Sequence, residues 1–191
     1  TYCITCKNRL SHIQHTLPRN LAALADDPNS EIVLLNYQSE DGLAEWVQNT
    51  FVAEIAAGRL VHAYHAPAPH FRMAHAKNMV HRLASGDILC NLDADNVLPH
   101  GYSEWLRERF AENPDRTISA RHFSVFAVVT ERIIKRLLKM PRPPAGLFGR
   151  IAGTRENFYR LGGYDETLSA WGFDDADFQL RARDSGITPY M

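Results

Sequence analysis

The chain opens on a short run of apolar and β-branched residues, Tyr2-Cys3-Ile4-Thr5-Cys6, which predicts a buried strand. A polar loop, Lys7-Asn8-Arg9, comes next. Apolar residues then recur at helical spacing (Ile13, Leu17, Leu21, Leu24) and predict a helix over about 12–25 with Ser11 as its cap. Pro18 falls inside that span, where a proline marks a restart. After the loop at 26–30, residues 31–37 are almost continuously apolar, the pattern of a parallel strand covered on both faces. A turn at 39–42 leads to a helix over 43–57, closed by Gly58. A third strand is predicted at 60–64, a helix over 73–84 stopped by Ser85-Gly86, and a fourth strand at 88–92. Strand and helix alternate throughout this half. Alternation of this kind predicts a mostly parallel sheet with helices on both faces, a Rossmann-like α/β fold.

The second half is less regular. It predicts a helix over 101–113, strands at 117–123 and 125–129, a basic amphipathic helix at 131–140 and a proline-rich loop at 141–146. A strand at 148–154, a short helix at 155–161, a Gly162-Gly163-Tyr164-Asp165 turn, a helix opening at Trp171 and running through Arg183, and a last strand from Ile187 complete it. Lys135, Arg136 and Lys139 on the basic helix suit either a solvated face, the plainer account, or an anionic partner or membrane surface. No internal repeat or low-complexity segment is present.

A length of 191 residues fits one domain, here taken as 1–191, and 45% hydrophobic with 23% charged residues is a globular composition. The formal net charge of -1 supplies no general field for nucleic acid, so no nucleic-acid partner is expected. The cysteines are Cys3, Cys6 and Cys90, an odd number inside strand-like runs, which points to reduced thiols and a reducing compartment. Cys3 and Cys6 have Cys-x-x-Cys spacing, but no second pair is present, which argues against zinc. No secretory signal and no apolar run of membrane-spanning length is visible. The first residues already lie in a strand and the last begin one, so a longer parent chain is expected. The corresponding location is cytoplasmic, with membrane association at the inner face through further domains.

The chemistry concentrates in two acidic stretches. Asp93 and Asp95 stand after the fourth strand one residue apart, so their side chains point to the same side at its carboxyl end. Open α/β sheets bind ligands at that edge. Hard oxygen ligands suit Mg²⁺ or Mn²⁺. The alternative is a solvated turn whose Asx side chains cap the next helix. The second stretch is Asp174, Asp175 and Asp177 at a helix start, where negative charge is favoured in any case. Trp171 and Gly172 just before them form a flat apolar platform suited to a sugar ring. A carboxylate beside that platform could take a proton from a hydroxyl, a role typically worth about 10²–10⁴-fold in rate.

The ordered set Asn8-Arg9, Ala76-Lys77-Asn78, Asp93-Ala94-Asp95, Gly162-Gly163-Tyr164-Asp165-Glu166 and Trp171-Gly172-Phe173-Asp174-Asp175 resembles the GT-A glycosyltransferases of family 2 type, including the β-1,4-galactosyltransferase-like and chondroitin-polymerase-like branches. The resemblance covers essentially the whole chain. It implies a GT-A fold, with residues 1–98 as the nucleotide-sugar half and 99–191 as a smaller acceptor-side β/helix region. It implies an inverting transfer from a nucleotide diphosphate sugar, most simply a UDP-sugar, to a glycan or related hydroxyl acceptor, in polysaccharide biosynthesis. A divalent metal, Mn²⁺ or Mg²⁺, is implied on Asp95, with Asp93 beside it on the ribose side. The implied donor residues are Thr5, Lys7, Asn8, Arg9, Arg72, Lys77, Asn78, Asp93 and Ala94. Asp175 is the implied general base, and Gly153, Trp171, Gly172 and Asp174 the implied acceptor residues. Without the resemblance, a solvated helix lysine is an equal account of Lys77.

Two departures stand out. Many relatives end the second strand in Asp-Asp-Gly-Ser, where this chain has Asn36-Tyr37-Gln38-Ser39, and the nucleotide base is left open. Many also supply a further metal ligand, often a His, downstream of the Trp-Gly motif. The sequence reaches Met191 without one, and His122, an internal candidate, reads better as structural. Two other functions compete. A nucleotidyltransferase should carry a glycine-rich basic loop after the first strand, where only Lys7 and Arg9 stand. A non-catalytic carbohydrate-binding or scaffolding part of a larger synthase would bind sugar through Trp171 without turnover.

Overall fold

The computed structural model describes residues 1–67, 70–119, 149–168 and 173–190. Strands β1 (Tyr2–Cys6), β2 (Ile32–Asn36), β3 (Leu60–Tyr64) and β4 (Ile88–Leu92) alternate with helices α1 (Leu10–Ala23), α2 (Leu43–Thr50), α3 (Val52–Ala56) and α4 (Met73–Leu83). The remaining elements are α5 (Tyr102–Glu112), β5 (Arg116–Ser119), β6 (Arg150–Thr154), α6 (Arg155–Arg160), α7 (Phe173–Asp184) and β7 (Thr188–Tyr190). The strands build one sheet in the order β3-β2-β1-β4-β6-β5-β7. β1 pairs in parallel with β2 and β4, β2 with β3, and β5 with β7. β6 runs antiparallel to both β4 and β5. The expected mostly parallel sheet flanked by helices is therefore observed, and among the described residues β5, β6 and β7 extend it.

The sheet buries side chains on both faces because its central strands alternate between two cores. Ile4, Cys6 and Leu34 join α1, α2 and α5 on one face. Cys3, Val33 and Leu35 join α4, α6 and α7 on the other. Cys3 and Cys6 thus point to opposite faces of β1, and all three cysteines are free and buried. Burial pushes the thiols of Cys6 and Cys90 up to about 12. Among the described residues, no helix is long and apolar enough to cross a membrane.

Three local expectations are corrected. Helix α1 begins at Leu10, ahead of Ser11, because Asp41 reaches across from the next loop and accepts the Leu10 N–H at 2.7 Å. It continues through Pro18, since Gln14 and Pro18 are both exposed and water can satisfy the carbonyl the proline leaves unbonded. The helix expected over 43–57 breaks at Phe51, which is buried with its ring edge-on to Trp46 at 5.2 Å. The strands expected beyond Ser119, the basic helix at 131–140, the loop at 141–146 and His122 lie outside the described residues.

Candidate active site

The loops after β1 and β2 are laced together at the carboxyl edge of the sheet. Lys7 Nζ donates to the carbonyls of Tyr37 at 3.2 Å and Gln38 at 2.9 Å. The Asn8 N–H donates to Ser39 Oγ at 3.0 Å, and Asn8 Oδ1 accepts the Glu40 N–H at 2.8 Å. Gln38 holds φ +52°, in the left-handed region that favours glycine. Lys7, expected to face the donor, here ties two loops together. Thr5 is half-buried, whereas Asn8 and Arg9 remain exposed at this edge.

Asp93 and Asp95 stand just past β4. β6 pairs Arg150 with Leu92, so the preceding Gly149 lies opposite Asp93. Gly149 has φ +86°, and the Asp93 carboxylate occupies the space that a Cβ there would need. Asn91 Nδ2 secures the pair, donating to Gly149 O at 2.8 Å and Asp93 Oδ1 at 3.3 Å. Burial pushes the Asp93 carboxyl up to about 6, against the nearby Lys77 charge, with Asp175 and Asp95 adding to the rise. Asp95 is exposed.

Helix α4 carries the central cation. Lys77 is 2% exposed, and its Nζ lies 2.6 Å from Asp174 Oδ2 and 2.5 Å from Asp175 Oδ1 in the first turn of α7. Burial alone would lower the Lys77 pKa, but Asp175 and Asp174 outweigh it and hold it above the ordinary lysine value. The Tyr164 ring lies under the ammonium at 5.1 Å. Lys77 therefore faces the carboxylates of α7 and does not offer its amino group to the open edge as expected. The two acids differ in access: the Asp174 side chain is 4% exposed and that of Asp175 is 19% exposed.

Asn78, also expected at the donor, is turned to the glycine-rich turn. Its Oδ1 accepts the Tyr164 N–H at 2.7 Å, and its Nδ2 donates to Tyr164 O and Glu166 Oε1, each at 2.8 Å. Gly163, at φ +78°, leaves room for this amide, since a Cβ there would strike Asn78 Oδ1 and the Phe158 ring. Arg181 braces the same turn through Leu161 O and Gly163 O, both at 2.8 Å, while pairing with Asp177 at 2.7 Å. Asp177 thus supports the turn rather than the acidic cluster. Arg72 remains exposed at the start of α4.

Gly153 is placed away from this edge. It pairs with Leu89, four residues before Asp93, or roughly 13 Å at about 3.3 Å per residue. The antiparallel course of β6 is the reason. Trp171 and Gly172 lie outside the described residues. Sequence reasoning missed Gly149, Asn91 and Arg181. A glycine inside the strand expected at 148–154 was the one faint signal for the first.

The family model described as glycosyl transferase family 2 matches residues 1–183. The chain belongs to glycosyl transferase family 2. A probable N-acetylgalactosaminyltransferase 9 of Caenorhabditis elegans is 28% identical over 53% of this chain, which spans 22% of that relative. The mannosyltransferase PcManGT of Pyrobaculum calidifontis, solved with GDP-Man and Mn²⁺, superposes with a TM-score of 0.73 at 20% identity, covering 100% of this chain and 53% of its own. GalNAc-T7, solved with UDP, GalNAc and Mn²⁺, gives a TM-score of 0.73 at 17% identity, covering 98% of this chain and 41% of its own. These similarities show the GT-A fold. The chain thus spans about a fifth of the curated relative and about half or less of the two solved proteins.

The family 2 frame also permits a test of fit for a divalent cation. Asp93 and Asp95 are hard oxygen donors at the carboxyl edge of the sheet, and burial, with the Asp175 and Asp95 charges adding to it, raises the Asp93 pKa to about 6. Among the described residues, no group of three or more His, Cys, Asp or Glu side chains forms a complete metal cage. Mg²⁺-type sites commonly use one or two carboxylates with water and substrate phosphates. The residues present fit that pattern.

Proposed function

We propose that this chain transfers a sugar from a nucleotide diphosphate sugar, first of all a UDP-sugar, to a hydroxyl of a glycan or related acceptor, with inversion at the anomeric carbon. Asp175 is the general base of this reading. One observation carries it: of the two carboxylates that Lys77 holds, Asp175 is the more accessible, and its charge acts on Asp93 across the site. The Lys77 contact engages Asp175 Oδ1, and Oδ2 would meet the acceptor hydroxyl. Proton removal there sharpens the hydroxyl as a nucleophile. Attack opposite the departing diphosphate inverts the anomeric centre.

Asp95 and Asp93 would hold Mn²⁺ or Mg²⁺, which when bound neutralises charge developing on the diphosphate leaving group. Among the described residues, Arg72 and Arg9, both exposed at this edge, would meet the phosphates. Asp174, buried against Lys77, orients that ammonium and is not the proton acceptor. The relatives solved with UDP or GDP-Man and Mn²⁺ support this choice of donor class.

The test is sugar transfer and UDP calorimetry on the wild type, Asp175→Asn and Asp95→Ala. Asp175→Asn is expected to lower turnover about 10²–10⁴-fold with UDP affinity kept. Asp95→Ala is expected to abolish Mn²⁺-dependent UDP binding. Wild-type turnover in Asp175→Asn would remove that residue from the role of base. Tight Mn²⁺-dependent UDP binding with neither transfer nor donor hydrolysis would make the chain a binding module.

A further inference from the structure

The Asp93–Asp95 loop is held from below by a helix that carries no acidic side chain. Thr16 Oγ1 on α1 donates to Ala94 O at 2.6 Å. One turn further along, Asn20 Nδ2 donates to Asn96 O at 3.0 Å, and Asn20 Oδ1 accepts the Leu98 N–H at 2.8 Å. Asn96 Nδ2 in turn donates to Asp95 Oδ1 at 3.3 Å. Positions 16 and 20 are four residues apart and so share one helix face. Both are buried, Thr16 at 6% and Asn20 at 0% exposure, among the apolar residues Ile13, Leu17 and Leu21.

A buried amide on an otherwise apolar face is costly unless its hydrogen bonds are made. Asn20 makes them, and both run to the backbone of the segment that carries Asp95. Leu98 anchors the far end of this segment in the core at 3% exposure. Helix α1 also begins in the loop that carries Asn8 and Arg9. One rigid element therefore spans the first loop of the site and the backbone under its acidic loop.

We propose that Thr16 and Asn20 are positioning residues that fix the Asp93–Asp95 loop for cation-dependent donor binding. This rests on the reading of Asp95 as a cation ligand. Thr16 acts through Ala94 O, between the two carboxylates, and Asn20 acts through Asn96, the neighbour and hydrogen-bond partner of Asp95. Supporting hydrogen bonds of this kind hold the side chains of a site in their productive geometry.

The experiment is calorimetric titration of UDP with and without Mn²⁺ on the wild type, Thr16→Val, Thr16→Ser, Asn20→Leu and Asp95→Ala. Thermal melting and KM and kcat with Mn²⁺ are measured alongside. Thr16→Val keeps shape and removes the hydroxyl. It is expected to weaken Mn²⁺-dependent UDP binding about 3–10-fold, the loss of roughly one net hydrogen bond, and to raise the KM for Mn²⁺ more than it lowers kcat. UDP binding without Mn²⁺ should be unchanged, and Thr16→Ser should recover affinity to within about twofold, since it restores that same hydrogen bond. Asn20→Leu should weaken Mn²⁺-dependent binding further; if it does not fold, the Thr16 pair alone decides. Unchanged Mn²⁺ dependence in Thr16→Val, with that dependence lost in Asp95→Ala, would overturn the positioning role and leave the metal reading intact. Equal behaviour of wild type and Asp95→Ala would overturn the metal reading, and this inference with it.

Discussion

Lys77 Nζ lies 2.6 Å from Asp174 Oδ2, and both side chains are almost fully buried. A buried ion pair is weak evidence for net stability, but breaking one is costly because a charge is left without a partner. Lys77→Met is therefore expected to destabilise the fold by about 3–5 kcal/mol in denaturant titration. The double variant Lys77→Met with Asp174→Asn should recover most of that loss and still lack turnover, because Asp175 loses its holder. A loss under about 1 kcal/mol in Lys77→Met would place the pair among solvated contacts.

The contact between Gly149 and Asp93 makes a sharper prediction for binding. Any Cβ at Gly149 meets the Asp93 carboxylate, and φ +86° adds backbone strain. Gly149→Ala should displace Asp93 and weaken Mn²⁺-dependent UDP binding at least about tenfold, equivalent to about 1.4 kcal/mol. UDP binding without metal should change little. Calorimetry on the purified variant reads both, and unchanged Mn²⁺ dependence would show that Asp93 tolerates the shift.

His81 supplies a pH signature. Its ring is buried, stacks on Phe158 at 5.0 Å, and donates from Nδ1 to the Lys77 carbonyl at 2.7 Å, which fixes the tautomer. Burial lowers its pKa to about 4. Between about 4 and the unfolded value near 6.5 the unfolded chain binds the extra proton. Stability therefore falls as pH drops through that window, by up to roughly 3 kcal/mol, and His81 has no such effect above it. Denaturant titrations at pH 7.5 and 4.5 should show a smaller difference in His81→Leu than in the wild type.

Asn78 tests the glycine-rich turn. Asn78→Asp replaces an amide donor by an acceptor facing Tyr164 O and Glu166. Two acceptors would then oppose a carboxylate, and a loss of about 2–4 kcal/mol is expected in thermal or denaturant unfolding. Wild-type stability would mean that the turn rests on Arg181 alone.

The sequence was legible where local pattern and burial coincide. The first four strands and α4 fell close to their expected spans because continuous apolar runs and helical spacing have one low-energy solution in a two-faced sheet. The start of α1 was not legible. Its cap comes from Asp41, over thirty residues from Leu10, and no local motif encodes a partner so distant. The break at Phe51 was hidden for a related reason, since burial against Trp46 overrides helix continuity.

For the site, the sequence by itself determined which chemistry is present. It supplied two carboxylates after a strand, more at a helix start, and one lysine on a helix that precedes both. Short-range pattern suffices there, because an apolar run marks where a strand ends and helix N-termini collect acids. Only the tertiary structure decided what each group touches. It turned Lys77 away from the open edge onto Asp174 and Asp175, tied Lys7 and Asn78 to neighbouring loops, carried Gly153 far down β6, and set Thr16, Asn20 and Gly149 around the acidic loop. The physical reason is that a buried charge or amide must find its partner wherever packing brings one, and such partners lie tens of residues away along the chain.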